Sequence, residues 1–144
     1  MPTYSHSQLS TYENCPHKYR LVYIDKIEVE TEGIEAFMGS RVHDTLEKLY
    51  RDLKVTKLST LEELLNFYQQ SWEKNWNDMI QIVRKDYSAE DYRRLGEKCI
   101  TDYYKRYAPF DQGKTLGLEE YIYFPLEEEK GYWIRGFIDR LTLM

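Results

Sequence analysis

The sequence has little of what marks several large protein classes. Basic residues are in the minority: 20 Lys and Arg stand against 25 Asp and Glu, a net charge of −5. Proteins that hold nucleic acid by charge alone carry a basic footprint, and that class is excluded here. An enzyme whose acidic residues hold metal ions against phosphate is not excluded. The two cysteines, Cys15 and Cys99, are too few for a disulfide scaffold and have no zinc spacing. They read as reduced thiols of a cytoplasmic protein. No apolar run approaches the ~20 residues that a membrane helix needs. The polar opening MPTYSHSQLSTYEN lacks the apolar stretch of a signal peptide. Internal repeats and low-complexity segments are also missing. What is present is 42% hydrophobic and 15% aromatic residues in 144, enough apolar material for a packed core.

Periodicity organises that material. SHSQLSTYEN reads as a short helix with Ser7 as N-cap, since a hydroxyl there accepts an orphan backbone N–H. Pro16 suits the first turn of a second helix, PHKYRLVYI. A loop around Glu28–Gly33 follows. In FMGSRVHDTLEKLYRDL the apolar positions Met38, Val42, Leu46, Leu49 and Leu53 recur every three or four residues, predicting a helix. His43 lies one position off this stripe, and Gly39, one turn earlier, leaves space over its ring. LSTLEELLNFYQQSWEKNWNDMI predicts another helix, capped by Ser59 or Thr60. Ser88 with Asp91 forms a capping box that opens a third. Its stripe runs through Tyr92, Leu95, Cys99, Tyr103 and Tyr107, and Pro109 ends it.

After DQGKTLG the period changes. LEEYIYFPLE is rich in Tyr, Ile and Phe and reads as a strand. EEEKG is a turn in which Gly131 takes positive φ, and YWIRGFIDRLTLM is the returning strand of an antiparallel hairpin. The expected organisation is one partial domain, mainly helical over 1–110, with a β-hairpin over 116–144. A lone hairpin is marginal, and its second strand would present an unpaired edge through which the chain could self-associate.

Three residues stand out as carriers of chemistry. Asp139 sits in an otherwise apolar strand, on one face with Trp133, Arg135 and Phe137. Taken alone it reads equally as a surface carboxylate paired with Arg135 or Arg140. His43 alone reads as a hydrogen-bonded histidine near the core. Glu120 shares a face with Leu118, Ile122 and Phe124. It therefore points toward the core and needs a partner there, unless the strand starts later and leaves it solvated.

Together the residues read differently. Ser5, Ser7, Leu9, Tyr12, Cys15, Pro16 and Tyr19 form S-x-S-x-L-x-x-Y-x-x-C-P-x-x-Y. Gly39 and His43 form G-x-x-x-H, and Gly136, Ile138, Asp139 and Arg140 form G-x-I-D-R. In this order the three motifs resemble the RecB-like branch of the PD-(D/E)XK nucleases, which includes the RecB and AddB nuclease domains and the CRISPR-adaptation exonucleases. The resemblance implies an α+β, restriction-endonuclease-like core with a helical front and the first antiparallel strands of its central sheet. It also implies a DNA exonuclease of repair, recombination or CRISPR adaptation, working beside a helicase or other partner protein. His43 and Asp139 would bind a catalytic Mg²⁺ or Mn²⁺, with Glu120 as a supporting acid. Lys18, Arg20 and Arg140 are candidate phosphate contacts, against the plainer reading of solvated surface charge. In some relatives the cysteine at the position of Cys15 is one of four ligands of a 4Fe–4S cluster. That cluster would belong only to a longer protein carrying the other three.

One departure matters. The family's next strand carries D/E-x-K, and a following helix carries Q-x-x-x-Y. Neither follows Asp139 in this sequence, and the E-x-K within EEEKG precedes it, at a turn. The expectation is a truncated, front portion of such a domain that does not cleave DNA by itself. The alternative is a non-catalytic DNA- or protein-binding module on the same scaffold.

Overall fold

The computed structural model describes Pro2–Met144. A short strand β1 (Thr3–Ser5) leads into α1 (His6–Asn14) and α2 (Pro16–Tyr19), which continues as a π-helical turn over Arg20–Ile24. Strand β2 (Glu32–Gly33) precedes the long helix α3 (Ile34–Lys54). Helix α4 (Leu61–Asn75), strand β3 (Ile80–Gln81) and helix α5 (Ala89–Tyr107) follow. The chain ends in β4 (Lys114–Glu127), a 3₁₀ turn (Glu128–Lys130) and β5 (Tyr132–Leu143). The fold class is α+β, as the sequence indicates.

The chain forms two compact units. One comprises the chain up to Val29 together with Leu116–Leu141, and the other comprises Glu30–Thr115 with Thr142–Met144.

The second unit is helical and holds the buried core. Helices α3, α4 and α5 pack against one another. Ile34, Phe37 and Leu49 of α3 meet Leu64, Tyr68 and Trp72 of α4 and Tyr92 and Ile100 of α5, and all of them are buried. Phe37 stands edge-on to Trp72 with ring centroids 4.9 Å apart, a favoured aromatic geometry. The helix starts follow the local chemistry. Thr60 and Ser88 each make a reciprocal capping box, with Glu63 and Asp91. Helix α5 ends at Tyr107 with Ala108 as C-cap, because Pro109 has no N–H to continue it. The α5 stripe is rotated from its sequence reading. Leu95 and Cys99 are exposed, while Tyr92, Gly96 and Ile100 are buried. Gly96 lies on the buried side because it is the residue small enough to sit under the Tyr68 ring, whose hydroxyl a Cβ there would meet at 2.1 Å.

The first unit carries the three-stranded sheet, ordered β1-β5-β4. β4 and β5 are joined by a tight turn in which Gly131 has φ 69°, as expected from its sequence. The edge of β5 expected to be unpaired is covered over its first residues only. β1 pairs with it in parallel, Thr3 to Trp133, Tyr4 to Ile134 and Ser5 to Arg135. The opening residues, which read as polar lead-in to a helix, thus supply a strand. The cap of α1 moves with it: Ser5, not Ser7, is the N-cap. Its hydroxyl accepts from the Gln8 N–H, and the Gln8 side chain accepts in return from the Ser5 N–H. That capping box needs Gln at the third helical position, which only Ser5 provides.

Candidate functional site

The site residues named from sequence fall on defined elements. His43 lies in the middle of α3 and is exposed. A Cβ at Gly39 would meet nothing within 4 Å, so the surface one turn before His43 is open, as the G-x-x-x-H spacing suggests. Glu47, one turn after His43, is a donor that the motifs do not single out. A ring nitrogen of His43 and a carboxylate oxygen of Glu47 lie within 4.8 Å of each other. The i,i+4 spacing is the signal that would have found it. Glu47 also pairs with Arg51 a turn further on. The donor set of α3 therefore suits a divalent ion: a solvent-accessible imidazole with a carboxylate beside it.

Asp139 lies in the body of β5 and is exposed. The alternation along β5 holds. Trp133, Phe137 and Asp139 take one face, and Ile134, Gly136 and Ile138 the other. Ring contacts across the hairpin support the assignment. Tyr123 stacks on Trp133 at 4.7 Å, and Tyr121 meets Phe137 at 5.3 Å. On the opposite face, a Cβ at Gly136 would reach Ile122 at 3.7 Å.

Glu120 departs from its expected place. It is exposed, while its neighbour Glu119 is half-buried. The neighbouring Glu119 has φ 51°, a left-handed conformation that interrupts the strand's alternation. One such residue shifts the following side chains, so even-numbered positions before and after it no longer share a face. The Glu120 side chain folds back on Gly117, where a Cβ would meet its carboxylate at 2.3 Å. A non-glycine residue at positive φ has no reliable sequence signature.

The remaining candidates have local roles. The Cys15 thiol accepts the Lys18 backbone N–H at 3.4 Å and caps α2. Pro16 stands at the first position of that helix, so C-P is here a helix-start motif with a physical purpose. Lys18 and Arg20 are exposed, and Arg20 is held by Asp25 at 3.4 Å. Arg140 is half-buried in β5. Among the described residues no helix is long and apolar enough to cross a membrane.

The sequence profile of the PD-(D/E)XK nuclease superfamily matches residues 3–142. No curated protein and no solved structure matches the chain.

Proposed function

The chain belongs to the PD-(D/E)XK nuclease superfamily, and from that premise we propose that it is part of a RecB-like DNA exonuclease. The observation that carries the proposal is the order of its motifs within the matched region: C-P at Cys15 and Pro16, G-x-x-x-H ending at His43, and G-x-I-D-R holding Asp139. The family's nucleases typically use a divalent metal such as Mg²⁺. His43 and Asp139 would hold it, with Glu47 as a further donor beside His43. When bound, such an ion lowers the pKa of a water and offsets charge on the scissile phosphate. Mn²⁺ fits the set as well as Mg²⁺, because an imidazole nitrogen among oxygen ligands favours the softer ion. His43 and Asp139 are both exposed. Glu120 is a weaker candidate, since its carboxylate is turned back on its own strand. Lys18 and Arg140 remain candidate phosphate contacts, and Arg20 would have to give up Asp25 to become one. Repair, recombination or CRISPR adaptation, with a helicase or other protein partner, is the setting that the RecB-like motifs support. A 4Fe–4S cluster would recruit Cys15 away from its capping bond.

The lysine of D/E-x-K is a group these 144 residues do not offer after Asp139. The E-x-K of Glu128 and Lys130 lies in the 3₁₀ turn, and Lys130 pairs with Glu127 at 2.8 Å. These residues by themselves are therefore expected to bind metal without rapid turnover. A non-catalytic DNA- or protein-binding module on the same scaffold is the second reading. Mn²⁺ titration followed by electron paramagnetic resonance tests the metal site. His43→Ala and Asp139→Ala should each weaken binding by at least about tenfold, ~1.4 kcal/mol; unchanged affinity in both would remove the site. Brisk Mn²⁺-dependent DNA hydrolysis by the 144-residue chain would show that the lysine is dispensable.

A further inference from the structure

The β4–β5 hairpin presents rings to solvent in a way a packed sheet does not. Tyr121 is 56% exposed, Tyr123 48% and Phe137 67%. They are not scattered. Tyr121 and Tyr123 lie within 10° of parallel with centroids 6.5 Å apart, and Tyr123 continues the array onto Trp133 at 11°. Phe137 flanks Tyr121 at the other end. Arg135 sits between Trp133 and Phe137 along β5, on the same face by alternation, and is exposed. Tyr121, Arg135 and Phe137 line a groove of about 610 Å³ whose other wall includes His6 and Ser7. That volume lies within the ~300–1,000 Å³ of small-ligand sites and admits a nucleotide.

We propose that this face is a base-stacking platform for a single-stranded segment of nucleic acid, with Tyr121 and Phe137 stacking bases and Arg135 contacting the backbone phosphate. The nuclease reading is what identifies the ligand as DNA; the platform itself rests on the rings. Aromatic rings exposed to solvent on one strand face, with a guanidinium between them, are the chemistry that holds single strands without sequence preference; Phe137 is tilted 59° to Tyr121, so the two rings would take separate bases. A duplex keeps its base faces stacked inside and offers none to these rings. The net charge of −5 excludes a charge-driven grip on phosphate. A chain repelled overall by phosphate gains little from charge, so affinity must come from stacking. Asp139 shares this face of β5, so a strand lying on the rings runs along the same surface as the proposed metal ligand.

The test is fluorescence anisotropy of a labelled oligothymidylate with the 144-residue chain in EDTA, so that no metal takes part. The single strand should bind at least about tenfold more tightly than a duplex of equal length, since only it offers base faces. Tyr121→Ala and Phe137→Ala should each weaken it by roughly 5- to 150-fold, while Tyr121→Phe retains binding because the ring remains. Both sites are exposed enough that folding, followed by circular dichroism, should survive. Arg135→Ala should lower the log–log salt slope by about 0.7, one phosphate's worth for a single strand. Equal affinity in the ring variants overturns the platform. So does a loss of self-association in Phe137→Ala, seen by sedimentation, with DNA affinity unchanged: the face would then be a protein interface. The nuclease reading fails separately. Ring-dependent DNA binding with Mn²⁺ affinity indifferent to His43 and Asp139 would sink the metal site alone, and the converse would sink the platform alone.

Discussion

Replacing Gly96 by alanine sets two effects against each other. In an exposed helix interior the change stabilises by about 0.8–1.0 kcal/mol, because alanine is the better helix former. In α5 the new methyl would meet the Tyr68 hydroxyl at 2.1 Å and the ring at 2.7 and 3.1 Å. Tyr68 cannot easily move. It is fully buried, and its hydroxyl donates to the Arg93 carbonyl at 3.0 Å. Burial pushes its phenol well above the ordinary range, so it remains a donor at every working pH. Relief therefore means displacing the ring and stretching that bond. Overpacking costs ~1–3 kcal/mol, and the bond adds about 1 kcal/mol. The net expectation is a loss of roughly 1–3 kcal/mol after the helix-propensity gain is subtracted. Urea unfolding monitored by circular dichroism measures it, and the midpoint should fall without a change in slope. Gly39→Ala is the internal control, since its Cβ would meet nothing within 4 Å and should stabilise α3 by about 0.5–1 kcal/mol. The double variant Tyr68→Phe with Gly96→Ala removes the closest contact but not the ring. Its cycle should show a favourable coupling of at least ~0.5 kcal/mol. A Gly96→Ala protein as stable as Gly39→Ala would refute the packing argument.

The capping boxes offer a second check: Thr60→Ala and Ser88→Ala should each cost about 1 kcal/mol in unfolding, and Ser7→Ala, which caps nothing, should cost much less. Acid sensitivity gives a third. Glu35 is held below its ordinary range by its own backbone N–H and by the Tyr92 hydroxyl. Asp52 is held down by Lys48 and then Ser59. Both are depressed in the folded state, so their contribution is complete above the ordinary values of 4.5 and 3.8 and fades as pH falls through the lower folded ones. Unfolding followed from about pH 6 to about pH 3 should show that loss, and Asp52→Asn should flatten its share of the slope. A fourth concerns Cys15: Cys15→Ser keeps an acceptor for the Lys18 N–H and should preserve α2, whereas Cys15→Val should fray it, as read by amide exchange at Lys18.

Local chemistry is legible in the sequence itself. Helices α3, α4 and α5 can be read there because apolar spacing, Thr60, Ser88 and Pro109 act within a few residues of where they stand. The turn at Gly131 can be read for the same reason. The family is recognisable because Cys15, Gly39, His43 and Asp139 sit in fixed short motifs. What sequence does not decide is anything that depends on a distant partner or on one backbone angle. β1 exists because Thr3–Ser5 find Trp133–Arg135 of β5, at the far end of the chain, and a three-residue polar strand has no period to announce it. Glu120 leaves its expected face because Glu119 takes a left-handed turn that breaks the alternation. Leu95 and Gly96 exchange roles because Tyr68, from another helix, needs the space. Short-range order follows from hydrogen bonds and propensities written into neighbouring residues. The pairing of edges, the left-handed residue within β4 and the choice of buried face are settled by what the rest of the chain brings against them.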